Sequence, residues 1–197
     1  FRLSVQPIEP LRRAGRPREY EILLRMLGAD GAIVAPADFL SAATRYQVLD
    51  KLDDWVMFQA VGEIEKHGWR VFPGGTRFWI NVSGQSLGDE EFTERAVALV
   101  RHHRLRPGAL GFELTENAAV ANLAAARRFI ERLREVGCDV KLDDFGTGLS
   151  SLSYLRELPV SGLKIDGSFV RGLLTDARSR SVVTAVLGMA RELGLTT

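Results

Sequence analysis

The chain alternates short apolar runs with longer segments in which apolar residues recur at the 3.6-residue period of an amphipathic helix. From Arg77 onward the short runs recur about every 30 residues with a helical segment between them, which is typical of a parallel sheet with helical crossovers. The predicted strands are Leu3–Ile8, Tyr20–Met26, Arg77–Ser83, Leu110–Thr115, Val140–Asp143 and Gly162–Ile165. The predicted helices are Lys51–Lys66, Glu91–Arg104, Val120–Val136, Ser151–Glu157 and Ala177–Leu193.

The first two predicted strands are joined in a different way from the others. The polar segment between them, Glu9–Glu19, contains Pro10, Gly15 and Pro17. It is too short and too broken for a helical crossover, so we expect these two strands to pair antiparallel.

The rhythm of strands and helices alone leaves two α/β architectures open, an open doubly wound sheet and a closed barrel. A Gly-rich phosphate turn after an early strand would favour the open sheet, and the sequence has none. Conspicuous polar residues instead lie near the ends of several strands, which is where (β/α) barrels place their functional groups. We therefore predict an α/β fold of the barrel type.

Composition narrows the classes of partner. The length of 197 residues favours one domain. The 26 basic and 25 acidic residues give a net charge of +1, which argues against a nucleic-acid polymer as partner but not against a small anion. No run of about 18 apolar residues predicts a membrane segment. The single cysteine, Cys138, is expected to be a buried thiol and fits a reducing compartment.

Four predicted strands each carry one conspicuous polar residue within an apolar run, and a fifth carries a lysine at a similar place. These residues are Glu21, Asn81, Glu113, Asp143 and Lys164. Any one of them alone could be a surface group at a strand end. A carboxylate inside a core is costly unless it is paired or binds a metal, and several at comparable strand positions favour a shared site. Oxygen ligands suit Mg²⁺, Mn²⁺ or Ca²⁺ rather than zinc.

The histidines do not add to this site. His67, His102 and His103 lie on helical stretches away from the strand ends. We interpret them as surface residues, so a zinc site built from histidine is not expected.

Asp143 and Asp144 are adjacent, so in a regular strand their side chains would face opposite sides. Both can reach one site only if the strand is interrupted there, and the segment Phe145-Gly146-Thr147-Gly148 offers such a break. A second cation would relieve the repulsion between the two carboxylates. The alternative is a solvated acidic turn. Lys164 can neutralise the cluster structurally, orient a water molecule or stabilise charge on a phosphate.

These segments together resemble the EAL family of cyclic-di-GMP phosphodiesterases. Each motif is weak alone, and their occurrence in order is specific. The matching segments are Glu21-Ile22-Leu23, Asn81-Val82-Ser83, Glu113-Leu114-Thr115-Glu116, Asp143-Asp144-Phe145-Gly146-Thr147-Gly148 and Leu163-Lys164-Ile165-Asp166.

The resemblance implies a TIM-like (β/α)8 barrel with an antiparallel first strand. It also implies hydrolysis of cyclic-di-GMP to linear pGpG with Mg²⁺ or Mn²⁺, with Ca²⁺ as an inhibitory occupant. By position, the family's metal ligands correspond to Glu21, Asn81, Glu113 and Asp143. Asp144 corresponds to a ligand of a second metal that also takes part in water activation.

Further roles are implied for residues around the ligands. Lys164 corresponds to the residue that holds the nucleophilic water, and Glu116 to the anchor of the loop after Asp144. Gln6 and Arg25 lie where the family contacts guanine and phosphate. The family also implies a bacterial signalling protein with further domains, pairing as a homodimer, and a cytoplasmic location with membrane tethering through other domains as an alternative.

The sequence departs from the family pattern in three places. Ile22 replaces the usual alanine, and Thr44 stands where relatives often carry glutamate. The family's last two strands lie beyond Thr197, so residues 1–197 are expected to be an EAL domain that is incomplete at its C-terminus.

Two other functions remain open from the sequence. One is a catalytically inactive receptor that binds cyclic-di-GMP. The other is an interaction module that pairs through its helices and the loop Phe145–Leu149.

Overall fold

The computed structural model describes residues 1–11, 18–71, 75–147 and 152–197, with the backbone alone for residues 68–71 and 152. The strands are β1 (Arg2–Ile8), β2 (Glu19–Leu27), β3 (Ile33–Val34), β4 (Arg77–Val82), β5 (Leu110–Thr115), β6 (Asp139–Phe145) and β7 (Gly162–Ile165). The helices are α1 (Pro36–Arg45), α2 (Leu49–Val71), α3 (Gly84–Leu87), α4 (Glu90–His102), α5 (Glu116–Ala121), α6 (Leu123–Arg134), α7 (Gly167–Arg171) and α8 (Ala177–Glu192), with a 3-10 helix at Leu152–Arg156.

The strands form one sheet in the order β1-β2-β4-β5-β6-β7, with the short β3 paired to β2. β1 is antiparallel to β2, as predicted, and β2, β4, β5, β6 and β7 are parallel to one another. Beyond β7, Thr196 forms a parallel bridge with Gly162. Sequence order and sheet order agree from β4 onward, because each helical crossover places the next strand beside the last.

The predicted elements are all present where the structure describes them, but some boundaries differ. The helix predicted over Val120–Val136 begins earlier and is divided at Asn122, whose side chain accepts a hydrogen bond from the Ala125 amide and so caps α6. β6 continues beyond Asp143 to Phe145. The short helices α3 and α7 have four and five residues, too few to show a helical period in the sequence.

The hydrophobic core lies between the outer face of the sheet and the helices. Phe112 of β5 meets Phe129 of α6 edge-on, with ring centroids 5.8 Å apart, and Phe129 stacks on Phe92 of α4 at 6.3 Å. Such aromatic pairs favour a fixed helix orientation. Because side chains alternate along a strand, the residues between these apolar positions face the concave side of the sheet.

The concave side is filled by three layers of side chains. The lower layer contains the ion pair of Arg77 and Asp139 at 2.9 Å. The middle layer contains Glu19, Trp79, Gly111, Lys141 and Gly162. The upper layer contains Glu21, Asn81, Glu113, Asp143 and Lys164. Each residue of the upper layer lies two residues beyond a residue of the layer below, at the C-terminal ends of the strands.

Candidate active site

Four charged residues of the upper layer converge on one point. The ammonium of Lys164 lies 3.2 Å from Glu21 Oε2, 2.5 Å from Glu113 Oε2 and 2.8 Å from Asp143 Oδ2. The three carboxylates each offer an oxygen, and these oxygens all lie within 4.8 Å of one another. The strands β2, β5, β6 and β7 therefore bring together residues that are up to 143 positions apart in the chain.

Glu113 is the most buried member of this group, with 1% of its surface exposed. Burial raises the pKa of Glu113 to about 7, because loss of hydration outweighs the attraction of Lys164, and Glu21 and Asp143 add repulsion. Its Oε1 atom is buried and has no hydrogen-bond partner among the described residues. A buried carboxylate oxygen without a donor is costly, and a bound cation would satisfy it.

Lys164 supplies the positive charge of this group. Burial lowers its pKa, but the carboxylates of Glu113 and Asp143 more than offset this, so the pKa lies above the usual value for lysine. One ammonium thus faces three carboxylates, and the site keeps a net negative charge that favours cations.

Asn81 lies at the edge of this group. Its Nδ2 donates a hydrogen bond to Glu21 Oε1 at 2.8 Å. The turn that follows is held by Asp53 of α2, whose Oδ2 accepts from the Ser83 amide at 2.8 Å and from the Ser86 hydroxyl at 2.7 Å. Burial raises the pKa of Asp53, and these hydrogen bonds oppose the rise. Neither Asp53 nor Ser86 stands out in the sequence.

Asp143 and Asp144 are separated by an interruption of β6. Asp144 adopts a left-handed conformation with φ of 54°, and the pairing of β6 with β7 shifts register between Leu142 and Phe145. The Asp144 amide donates to Asp143 Oδ1 at 2.8 Å. The break therefore falls at Asp144 itself and not, as the sequence suggested, in the segment that starts at Phe145. Gly148 lies outside the described residues.

Asp144 is not part of the three-carboxylate group. Burial and the negative charges of Asp143 and Asp166 raise the pKa of Asp144, and Lys164 opposes this. Asp144 and Asp166 share a hydrogen bond, while the hydroxyl of Ser168 lowers the pKa of Asp166. The two pKa values are thus shifted in opposite directions. Asp166 belongs to the Leu163–Asp166 motif, but no pattern in the sequence places it against Asp144.

Glu116 holds the segment after Asp144. It is 3% exposed, its Oε2 accepts from the Gly146 amide at 2.9 Å, and its Oε1 accepts from the Tyr154 hydroxyl at 2.7 Å. Gly146 has φ of 102°, a conformation that favours glycine. Glu116 thus links both ends of the segment around the undescribed residues 148–151. Tyr154 was not singled out in the sequence.

Replacing Tyr154 with phenylalanine should lower the free energy of unfolding by about 1–3 kcal/mol, because the buried Glu116 carboxylate loses a donor. Urea unfolding of the purified protein measures the change. Tyr46→Phe is the matched control, since Tyr46 is 72% exposed and should unfold like wild type. Equal stability of Tyr154→Phe and wild type would show that the hydroxyl does not support the segment.

Gln6 and Arg25 lie around the mouth of the site. Gln6 is directly opposite Glu21 in the β1–β2 ladder, so both side chains lie on the same face. Arg25 lies four residues beyond Glu21 on that face, and its Nη1 donates to the Leu24 carbonyl at 3.0 Å. Ile22 follows Glu21 and faces the opposite side of the sheet, where it is 5% exposed. The hydrophobic core there accommodates a side chain larger than the family's usual alanine.

The histidines and the cysteine do not belong to the carboxylate group found among the described residues. His67 and His102 are exposed, whereas His103 is partly buried and lies 2.6 Å from Glu65. Cys138 is 3% exposed, and burial raises the pKa of its thiol to about 12. The prediction of a buried thiol is confirmed.

Comparison with known proteins identifies the family. Residues 1–197 match the sequence profile of the EAL domain. The chain belongs to the EAL domain family. Among proteins similar to it, the cyclic di-GMP phosphodiesterase PA2567 of Pseudomonas aeruginosa is 36% identical over 194 residues, which cover 98% of this chain and 32% of the relative. The cyclic di-GMP phosphodiesterase PdeB of Shewanella oneidensis is 33% identical over 201 residues, covering 99% and 22%.

The fold comparison agrees with this assignment. The crystal structure of the FimX EAL domain from Pseudomonas aeruginosa bound to c-di-GMP superimposes with a TM-score of 0.87 at 28% identity, covering 99% of this chain and 77% of that one. The TIM-like barrel architecture is thereby confirmed. The EAL domain described here spans about a third or less of the length of the two curated relatives. No described helix is both long and apolar enough to cross a bilayer.

The donor set of this EAL domain fits a divalent cation. Glu21, Glu113 and Asp143 supply oxygen atoms within reach of a single ion, and the unpartnered Glu113 Oε1 offers a further one. Hard oxygen donors of this kind are the ligands that Mg²⁺ and Mn²⁺ prefer. The carboxamide of Asn81 adjoins Glu21 and can contribute its carbonyl oxygen.

Proposed function

We propose that this EAL domain hydrolyses cyclic-di-GMP to linear pGpG with Mg²⁺ or Mn²⁺. The observation that carries the proposal is the convergence of Glu21, Glu113 and Asp143 on Lys164 at the C-terminal ends of the strands. That is where (β/α) barrels hold their active sites. Similar proteins are named cyclic di-GMP phosphodiesterases, which supports cyclic-di-GMP as the proposed substrate.

Glu21, Asn81, Glu113 and Asp143 would hold the cation, and Asp144 would bind a second one. A divalent ion bound there would polarise the phosphodiester and lower the pKa of a bound water. The charges of Asp143 and Lys164 both act on the Asp144 carboxylate. This carboxylate would accept a proton from the attacking water.

Lys164 has a second part in the proposed reaction. With its carboxylate partners engaged by a bound cation, the Lys164 ammonium would donate hydrogen bonds to the water or to a phosphate oxygen. Arg25 would bind the phosphate with its planar guanidinium, and Gln6 would contact guanine through its amide. Glu116 would keep the segment after Asp144 in place during turnover.

We further propose that the domain belongs to a larger cytoplasmic signalling protein of bacteria and acts as a homodimer. The short share of each curated relative that the chain covers is in line with additional domains.

The test is hydrolysis of cyclic-di-GMP by the purified protein with Mn²⁺ or Mg²⁺, with pGpG measured by chromatography. Glu21→Ala should reduce turnover to the background level, since it removes a ligand and the partner of Asn81. Glu192→Ala, on the exposed end of α8, is the control and should retain full activity. Tight nucleotide binding without turnover in either metal would favour the receptor, and unchanged turnover of Glu21→Ala would contradict the proposed site.

A further inference from the structure

An ion pair crosses the concave side of the sheet directly beneath the candidate site. Lys141 Nζ of β6 lies 2.7 Å from Glu19 Oε2 of β2. In the sheet order, β4 and β5 lie between these two strands. The contact therefore runs through the interior from one strand to another that it does not touch by backbone hydrogen bonds.

A buried tryptophan fixes the geometry of this ion pair. The Lys141 ammonium lies 3.9 Å from the ring centroid of Trp79, and Trp79 Nε1 donates to the same Glu19 oxygen at 2.7 Å. Trp79 has no exposed surface, and Lys141 is 8% exposed. The ring holds both charged groups, through its face and through its edge, so the three side chains have one mutual arrangement.

Stability alone does not account for this arrangement. A buried ion pair recovers little more than the cost of removing both charges from water, and an apolar replacement of similar size is often as stable. The position of the pair is informative instead. Glu19 lies two residues before Glu21, and Lys141 lies two residues before Asp143.

A link of this kind would help to keep the carboxylates of the upper layer close together. The carboxylates of Glu21, Glu113 and Asp143 repel one another, and this repulsion, which Lys164 offsets in part, acts to separate β2 from β6. β2 and β6 share no ladder of their own and are joined only indirectly through β4 and β5. The ion pair of Lys141 and Glu19 opposes that separation in the middle layer, just below the proposed metal ligands.

We propose that Glu19 and Lys141, held by Trp79, are positioning residues that set the distance between Glu21 and Asp143 and thereby the affinity of the site for a divalent cation. The inference rests on the proposed metal-dependent function. Groups that orient metal ligands without touching the ion commonly change metal affinity by about 10–100-fold when they are removed.

The test uses the double variant Glu19→Gln, Lys141→Met, which leaves the net charge of the middle layer unchanged. Calorimetric titration with Mn²⁺ should show a Kd about tenfold weaker than that of wild type. The control is the double variant Arg127→Met, Glu131→Gln, which likewise leaves the net charge unchanged but removes an exposed ion pair of α6. It should keep the wild-type Kd.

A single variant separates positioning from charge and serves if the double variant does not fold. Lys141→Gln removes a nearby positive charge, which by itself would tighten Mn²⁺ binding, and it also removes the cross-barrel link. The inference expects a weaker Kd despite the lost charge. A Kd equal to or tighter than wild type, in either variant, overturns it. Failure of the wild-type protein to bind Mn²⁺ would instead overturn the proposed metal-dependent function.

Discussion

Replacing Lys164 with methionine is expected to tighten Mn²⁺ binding about tenfold and to slow hydrolysis of cyclic-di-GMP by roughly 10²–10⁴-fold. The two effects have opposite signs because the ammonium occupies the point where an ion would be held. Its nitrogen lies 2.5–3.2 Å from an oxygen of each of the three carboxylates that a metal ion would need as ligands. Mn²⁺ must displace it, whereas turnover needs it as a donor.

The size of the binding effect follows from simple electrostatics. A unit charge about 4 Å from another is worth on the order of 4 kcal/mol at the effective dielectric of a partly exposed site. Lys164 can swing away when an ion enters, so roughly a third of this, or about tenfold in Kd, should be observed. The titration should be carried out at pH 8.5, because burial raises the pKa of Glu113 to about 7 and a proton there would compete with Mn²⁺.

The control for this experiment is Lys164→Arg, which keeps the positive charge and should not tighten Mn²⁺ binding. An unchanged Mn²⁺ Kd in Lys164→Met would show that the ammonium does not compete with the ion. An unchanged rate of hydrolysis would remove Lys164 from the proposed reaction. Each readout therefore tests a different role of the same side chain.

The sequence predicted the upper layer better than the layer beneath it. Glu21, Asn81, Glu113 and Asp143 each interrupt an apolar strand, and parallel strands place such positions at one edge of the sheet. Glu19 instead read as the last residue of a polar connection, and its partner Lys141 is 122 positions away. No local pattern reports a contact at that separation, so only the folded sheet reveals the ion pair.

The irregular backbone at Asp144 could not be predicted from the sequence either. Asp144 is not a glycine, yet it adopts a positive φ, because Asp143 accepts a hydrogen bond from its amide and the ladder shifts register there. The glycines after Asp144 drew the predicted break to the wrong residue. The pairing of β6 with β7 therefore decided where the strand is interrupted, and the glycines that follow did not.

Gly111→Ala is expected to destabilise the protein by about 3 kcal/mol or more, because the site of the new methyl group is already filled. A Cβ at position 111 would overlap the six-membered ring of Trp79 and lie 2.9 Å from its Cη2 atom. The Trp79 ring is rigid and fully buried, and it donates a hydrogen bond to Glu19, so it cannot move aside. Glycine within a strand marks such a close approach. Urea unfolding measures the loss.

Two further variants decide whether the Trp79 ring is the cause. Gly62→Ala is the control on α2, where a Cβ meets no atom within 4 Å, and it should raise stability by about 0.5–1 kcal/mol. Combining Gly111→Ala with Trp79→Phe shrinks the obstructing ring, so the double variant should cost less than the sum of the two single changes. Simple additivity, or wild-type stability of Gly111→Ala, would mean that Gly111 does not make room for Trp79. The middle layer would then lack the tight fit that keeps Lys141 and Glu19 in place.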